Sequence, residues 1–338
     1  MVRKAIYIGL IFAVAASISG CQTIGFYSQS VVGHSKLMLA RTSIESALEK
    51  VDSHTADKLI LSKELRAFAS KSLSLPDNNT YSKFVKLDRE YPVWVVVAAP
   101  EFSLTAKSWC YLVIGCASYR GYFSKQAALR YSDKLKAKGW ETYVGGAVAY
   151  STLGWFSDPL LPSMMTGSDA SFAEILFHEL AHQRLYLKGK SDVNEAMATV
   201  VGEQGALRWL AGNQPNQVQA YREQLAAQDD FSKLVFEFKT KLTSMYQLTK
   251  PIADKRIKKK QLFSEFKQRL RSVKAERWQG RGYFDSWLSQ PLSNARFAGF
   301  STYRALVSDF EKLLVECEND FEKFFLSVEK HNGKGSCH

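Results

Sequence analysis

Residues 171–182 read Ser-Phe-Ala-Glu-Ile-Leu-Phe-His-Glu-Leu-Ala-His, with the pattern His-Glu-x-x-His over the last five positions. The hydrophobic residues around that pattern are typical of a buried helix. Because positions i and i+4 of a helix project from one face, the imidazoles of His178 and His182 can reach the same ion. Glu179 lies about a third of a turn away, where its carboxylate can accept a proton from a water molecule. The stretch therefore predicts a metal-binding helix with a general base beside the metal.

A catalytic zinc site usually has three protein ligands and one position open to water. Leu185 and Lys188 stand where the HExxHxxGxxH pattern has its glycine and its third histidine. The other histidines are all far from the motif in the sequence: His34, His54, His331 and His338. The third ligand is therefore expected to be a carboxylate.

The best candidate is Glu195, thirteen residues after His182. A helical hairpin would return this residue to the metal. Glu195 also has capping-box spacing with Asp192, so capping its own helix is the alternative role. Glu203 is a reserve ligand, but eight residues of helix rotate it by about 80° from Glu195. The two carboxylates should not point at the same ion.

A zinc ion held in this way indicates peptide-bond hydrolysis. Zinc acidifies bound water and polarises a carbonyl group, while Glu179 would act as the general base. Hydrolysis also needs a donor where negative charge develops on the carbonyl oxygen. Five side chains are candidates for that donor: Tyr119, Arg120, Tyr150, Arg296 and Tyr303. Packing or a structural hydrogen bond is the alternative role for each of them.

The first twenty residues have the form of a secretion signal. An apolar stretch, Ala5 to Ile18, follows two basic residues and is short for a membrane-spanning helix. Ile18-Ser19-Gly20-Cys21 resembles a bacterial lipobox, so Cys21 is expected to be lipidated and to anchor the mature chain. A plain cysteine after an ordinary cleavage site is the alternative. Gln22 at the next position indicates the outer membrane, with the protein facing the periplasm.

Four cysteines follow Cys21 in the sequence. Two local disulfides, Cys110 with Cys116 and Cys317 with Cys337, are the simplest pairing in an oxidising compartment. A zinc cluster of the four competes with this pairing, but the C-x5-C and C-x19-C spacings lack the close pairs of structural zinc sites. Free thiols are the third possibility.

The 338 residues are 46% hydrophobic, which suits one large domain or two small ones, and they carry a formal charge of +12. The basic excess lies between Lys250 and Arg281, where apolar residues recur at helical spacing. This pattern indicates the polar face of an amphipathic helix, and we expect no nucleic-acid partner. Contact with acidic lipid headgroups or envelope polymers is an alternative use of the charge.

The remaining pattern predicts a mixture of helices and a few strands. Residues 33–72 suit one long or two shorter amphipathic helices, and Ser171 with Glu174 could cap the motif helix. The predicted strands are Val93–Ala99, Tyr111–Cys116 and Glu141–Val144, with a helix over Ser124–Lys138 between the last two. From Ala170 onward the pattern is helical almost to the end.

These elements predict an α+β, mainly α-helical fold of the zincin type, with a small sheet before the motif helix. We expect a signal peptide over residues 1–20 and a single domain over 21–338. Within that domain a small α/β part would span about 90–165 and a helical part about 166–338.

The dipeptide Asn194-Glu195 after the motif resembles the gluzincin pattern, in which this glutamate is the third zinc ligand. Over nearly its whole mature length the chain also resembles a family of bacterial lipoproteins described as zinc aminopeptidases. The stretches that carry the resemblance are residues 119–123, 143–146, 149–160, 178–182, 194–195 and 294–296. The family usually has Ser-Phe where this chain has Ala196-Met197, a change that touches no expected ligand.

The resemblance implies zinc-dependent aminopeptidase activity on short peptides in the periplasm. Known gluzincin aminopeptidases bind the free amine of the substrate through a Gly-x-Met-x-Asn strand and a glutamate that this chain lacks. Residues 145–150 occupy that place and could form an edge strand that holds an extended peptide. An envelope endopeptidase with the same metal chemistry, or a non-catalytic lipoprotein stabilised by metal, are the alternatives. The expected partners are a peptide substrate and the membrane reached through Cys21.

Overall fold

The structure, a computed structural model, describes residues 25–111, 115–152, 156–300, 304–333 and 335–337. The expected signal peptide, the lipobox and Cys21 lie outside these ranges. In the described part, no helix is long and apolar enough to cross a membrane.

Three helices open the described part, where the sequence predicts one or two. They are α1 (residues 25–39), α2 (Ile44–Leu48) and α3 (Ser53–Leu73). The break before α3 is set by Asp52, whose carboxylate caps the helix by accepting the Thr55 N–H at 2.9 Å. Between α1 and α2, the short strand β1 (Thr42–Ser43) pairs antiparallel with β2 (Lys83–Phe84).

The predicted buried strand is present as β3 (Val93–Pro100), in which Val96, Ala98 and Ala99 have no exposed surface. The prediction of one strand over Tyr111–Cys116 is wrong. The chain instead forms β4 (Trp109–Tyr111) and β5 (Gly115–Ala117), an antiparallel pair. Gly115 has a φ of +76°, a left-handed conformation that suits a turn between strands. The Cys110–Cys116 disulfide crosses this pair.

A three-stranded antiparallel sheet has β3 at its centre, between β6 (Arg120–Tyr122) and β7 (Trp140–Ala147). Helix α4 (Lys125–Lys136) packs on this sheet and contains most of the predicted helix. The Ser124 hydroxyl caps it by accepting the Ala127 N–H, and Gly139 follows its end with a φ of +82°. The predicted strand over Glu141–Val144 lies within β7.

The motif lies on α5 (Asp169–Arg184), which packs along its length against α6 (Ser191–Asn213). The predicted capping box of Ser171 and Glu174 is wrong. The helix is capped by Ser168, whose hydroxyl accepts the Ser171 N–H at 3.2 Å. Glu174 instead accepts a hydrogen bond from the Tyr221 hydroxyl at 2.8 Å.

Six further helices follow, as the helical pattern predicts. They are α7 (Val218–Gln247), α8 (Ile252–Arg277), α9 (Asp285–Ser289), α10 (Asn294–Gly299), α11 (Arg304–Glu316) and α12 (Phe321–Lys330). The basic run forms most of α8, whose apolar side packs against α7. A second disulfide, Cys317–Cys337, ties the end of α11 to the C-terminal segment.

Two large hydrophobic cores organise these helices. The first joins α3, α5, α6, α11 and α12, and it contains the fully buried Phe172, Leu176 and Phe177 of the motif helix. The second joins α7, α8, α9 and α10 around Phe231 and Phe266. The fold is mainly helical with small sheets, so the predicted α+β class is confirmed.

Candidate metal centre

Helices α5 and α6 form a hairpin that brings Glu195 back to the motif. Asn194 fixes the connection: its amide oxygen accepts the Leu187 N–H at 2.9 Å, and its amide nitrogen donates to the Leu187 carbonyl at 2.8 Å. Asn194 is almost fully buried. The alternative of a capping box by Asp192 and Glu195 is not formed, because no side chain caps the start of α6.

Three side chains of this hairpin converge on one point. The Nε2 atoms of His178 and His182 are 3.1 Å apart. One carboxylate oxygen of Glu195 lies 3.5 Å from Nε2 of His178, and the other lies 3.5 Å from Nε2 of His182. The His182 side chain is 6% exposed and the Glu195 side chain 39% exposed, so the group opens to solvent on the Glu195 side.

These distances fit a single small cation. Zinc binds histidine nitrogen and carboxylate oxygen at about 2.0–2.2 Å, and tetrahedral ligands at that range lie roughly 3.3–3.6 Å apart. The observed separations are close to this range: 3.1 Å between the two Nε2 atoms, and 3.5 Å from each Nε2 to a different oxygen of Glu195. Among the described residues, only His178, His182 and Glu195 form a group of metal-ligand type within 4.8 Å of one another. The reserve ligand Glu203 is buried on the same helix but is not in this group.

The close approach of α5 and α6 sets the position of His178. A Cβ atom on Gly202 of α6 would lie 2.7 Å from the Glu174 carbonyl oxygen and 3.3 Å from the Cβ of His178. Real side chains do not tolerate the shorter of these contacts, so the helices can pack at this distance only because residue 202 has no side chain.

The pKa values of the two histidines shift in opposite directions. Burial, together with the charge of the neighbouring His178, lowers the pKa of His182 to about 4. Burial also acts to lower the pKa of His178, but the hydrogen bond with Glu195 and the charges of Glu179 and Glu195 reverse the effect and raise it. The pKa of Glu195 is lowered, because the His178 hydrogen bond and the two imidazoles outweigh its burial. His182 in its neutral form is a ready metal ligand.

Glu179 faces a buried polar environment that the sequence pattern does not reveal. Burial raises the pKa of its carboxyl group, and the charges of Glu195 and Asp158 act in the same direction. Interaction with the Tyr81 hydroxyl opposes the rise. Among the described residues, that buried hydroxyl has no hydrogen bond of standard geometry. A carboxylate with a raised pKa is suited to accept and return a proton.

Asp158 and Tyr81 are site residues that sequence reasoning missed. Asp158 is fully buried and accepts hydrogen bonds from the backbone and hydroxyl of Thr152, at 2.8 and 2.9 Å. Its carbonyl oxygen accepts the Tyr81 N–H at 2.7 Å. The only available signal was that Asp158 falls within the 149–160 stretch of the family resemblance.

Two of the five donor candidates lie near charged groups of the site, one near Glu179 and Glu195 and the other near Asp158. Burial raises the pKa of Tyr119, and the charges of Glu195 and Glu179 act in the same direction. The Tyr119 hydroxyl therefore lies within electrostatic reach of both carboxylates. Tyr150 lies close enough to Asp158 to feel its charge, and its hydroxyl is 2.9 Å from Nδ1 of His34.

The two arginine candidates are held by packing contacts. The guanidinium of Arg120 lies 4.0 Å from the ring centre of Phe26, and that of Arg296 lies 4.4 Å from the ring centre of Trp287. Arg296 also donates to the carbonyl of Ser286 and is almost fully buried in the second core. The packing alternative therefore fits both arginines, and Tyr303 lies outside the described residues.

Residues 145–150, expected from the sequence to form an edge strand, do so only in part. β7 is an edge of the three-stranded sheet, but it ends at Ala147, so residues 148–150 lie beyond the strand. The Ser163 hydroxyl donates to the Val148 carbonyl just after that end.

Comparison with known proteins matches the chain to a family. Residues 25–336 match a family model whose description is "Putative aminopeptidase". Searches of curated proteins and of solved structures found no match. The family match spans nearly the whole chain, including both helices of the candidate metal centre. The chain therefore belongs to this aminopeptidase family.

Proposed function

We propose that the protein is a zinc-dependent peptidase with a zincin-like active site, and that it removes N-terminal residues from short peptides. The observation that carries the proposal is the convergence of two imidazoles and one carboxylate, with Glu179 beside them. Membership in an aminopeptidase family supports the peptide substrate and the aminopeptidase form. We extend the proposal to a periplasmic enzyme that is anchored to the outer membrane by lipid on Cys21.

Each group would have a separate task in this reaction. His178, His182 and Glu195 would hold the zinc ion. A bound zinc ion supplies positive charge that acidifies water and polarises a carbonyl oxygen. Glu179 would accept the proton of the attacking water at its carboxylate and pass it to the departing amine. The Tyr119 hydroxyl would donate to the carbonyl oxygen as negative charge develops there.

The test of the metal site is the zinc content of the purified protein and of its Glu195→Ala variant. We expect about one zinc per chain in the unaltered protein and zinc affinity at least ~100-fold lower in the variant, because one of three ligands is lost. Asp192→Ala is the matched control, since Asp192 lies in the first turn of the same helix. This control should bind zinc as the unaltered protein does. Absence of zinc after reconstitution would refute the proposal.

The test of the reaction compares peptides with free and acetylated amino termini. An aminopeptidase requires the free amine, so the acetylated peptides should resist hydrolysis. Cleavage of both sets would indicate an endopeptidase with the same metal chemistry. A zinc-loaded protein that cleaves neither set would favour the non-catalytic alternative.

A further inference from the structure

An aromatic pocket lies between α1, β6 and the strands beside it. Its volume is about 280 Å³, and none of the ten described residues that line it carries a charge. Phe26 and Tyr27 contribute one wall, Phe123 and Tyr150 another, and Tyr119 stands at its side. The size is small compared with pockets for drug-sized ligands, which begin at about 300 Å³.

The walls of this pocket are held in place from behind. The Arg120 guanidinium lies 4.0 Å from the centre of the Phe26 ring, and Tyr111 stacks on the same ring with centres 5.4 Å apart. Phe123 and Tyr150 form an edge-to-face pair at 5.6 Å. On β6, Gly121 lines the pocket without adding a side chain to fill it. The rings therefore form a fixed apolar surface.

The pocket adjoins the candidate metal centre through two of its lining residues. Tyr119 lies within electrostatic reach of both Glu179 and Glu195. Tyr150 lies two positions before Thr152, whose N–H and hydroxyl donate to the Asp158 carboxylate at 2.8 and 2.9 Å, and the charge of Asp158 acts on Glu179. A peptide held with its scissile bond at the metal centre could therefore extend a neighbouring side chain past Tyr119 into the pocket.

We propose that this pocket binds one large uncharged side chain of the substrate, aromatic or branched aliphatic, next to the bond that is cut. The inference rests on the proposed peptidase function and specifies its substrate class. A mainly apolar lining favours an apolar side chain by the area it removes from water, and it offers no charge to pair with a lysine or aspartate side chain. The enzyme should therefore select against charged residues at this position.

The experiment measures peptide binding separately from hydrolysis, using the zinc-loaded Glu179→Gln protein and calorimetry. The probes are Phe-Ala-Ala, Ala-Phe-Ala, Lys-Ala-Ala and Ala-Ala-Ala. We expect one of the two phenylalanine peptides to bind about 10- to 100-fold more tightly than Ala-Ala-Ala, because burial of one aromatic side chain has this effect. Lys-Ala-Ala should bind no more tightly than Ala-Ala-Ala.

Two substitutions fill the pocket from different elements. Ala117→Phe on β5 and Ser30→Leu on α1 should each remove most of the advantage of the phenylalanine peptide over Ala-Ala-Ala. Ala211→Phe is the matched control, since Ala211 is exposed on α6 and does not line the pocket. The Ala211→Phe protein should still bind the phenylalanine peptide more tightly than Ala-Ala-Ala, by the same factor as the unaltered pocket does. Thermal unfolding of each variant verifies that it is folded.

The outcomes separate the pocket from the reaction. Equal affinities for the phenylalanine and alanine peptides, or an advantage that survives both filling substitutions, would overturn the inference. Hydrolysis of Ala-Ala-Ala by the unaltered zinc-loaded protein tests the proposed function alone. If hydrolysis is absent while the phenylalanine advantage is present and is lost on filling, the binding pocket is supported and the peptidase function is not.

Discussion

The molecule contains two long helical hairpins that pack in different ways. In α5–α6 the helices approach closely at Gly202, and the facing side chains include two histidines and a glutamate. In α7–α8 the facing side chains are aromatic and aliphatic, and Phe266 contacts the rings of Phe238 and Trp287 at 5.3 and 5.6 Å. Charged residues of α8 lie mostly on its outer side.

The difference shows where stability and chemistry reside. Apolar contacts in α7–α8 stabilise the fold in proportion to the area they bury. The polar cluster of α5–α6 stabilises the fold little. Its buried imidazole and carboxylate groups lose their hydration, and their contacts with one another only partly offset that cost. We expect substitutions in the polar cluster of α5–α6 to affect zinc binding and catalysis most, and substitutions of the apolar residues between α7 and α8 to affect stability most.

The largest expected effect is on catalysis. Glu179→Gln removes the general base while keeping the size of the side chain, so the rate of peptide hydrolysis should fall by about 10²- to 10⁴-fold. Zinc content should not change. The matched control is Glu174→Gln on the same helix, whose carboxylate accepts a hydrogen bond from Tyr221. Steady-state kinetics should show near-normal rates for the control. Equal losses in both variants would mean that Glu179 acts through folding.

The second effect tests the independence of the two hairpins. Phe266→Ala leaves a cavity in the second core, and urea unfolding should show a loss of about 3–5 kcal/mol in the free energy of unfolding. Zinc affinity should stay within a few-fold, because Phe266 is not part of the first core. Phe236→Ala, at an exposed position of α7, should change stability by less than about 0.5 kcal/mol. A large loss of zinc affinity in Phe266→Ala would contradict this division.

The smallest expected effect tests whether the short distance between α5 and α6 is needed for stability and zinc binding. Gly202→Ala places a methyl group against the Glu174 carbonyl and should lower the free energy of unfolding by about 1–3 kcal/mol, with weaker zinc binding. Gly212→Ala on the same helix has no atom within 4 Å of the new methyl group. It should gain up to about 1 kcal/mol from helix propensity. Chemical unfolding measures the change in the free energy of unfolding for both variants. Changes of the same sign in the two variants would refute the close approach of the helices.

Local patterns predicted much of the fold. The β-branched run of β3 and the apolar period of α4, with Ser124 and Gly139 at its ends, identified these elements because their neighbours in sequence dictate them. The predictions failed where pairing between backbone segments, or a competing cap nearby, decides the conformation. The segments Trp109–Tyr111 and Gly115–Ala117, which the Cys110–Cys116 disulfide joins, pair as two antiparallel strands where the sequence pattern predicts one strand. Ser168 began the motif helix earlier than the capping pattern indicated.

For the site, the sequence by itself determined the helix that carries His178, Glu179 and His182, because their spacing is that of one helical face. It also indicated Glu195 through a pattern shared with a known family. Only the tertiary structure decided that Glu195 reaches the histidines, that Tyr81 and Asp158 act on Glu179, and that Arg296 lies in another core. These groups are separated by long stretches of chain, and only packing of the completed fold brings side chains from distant segments together.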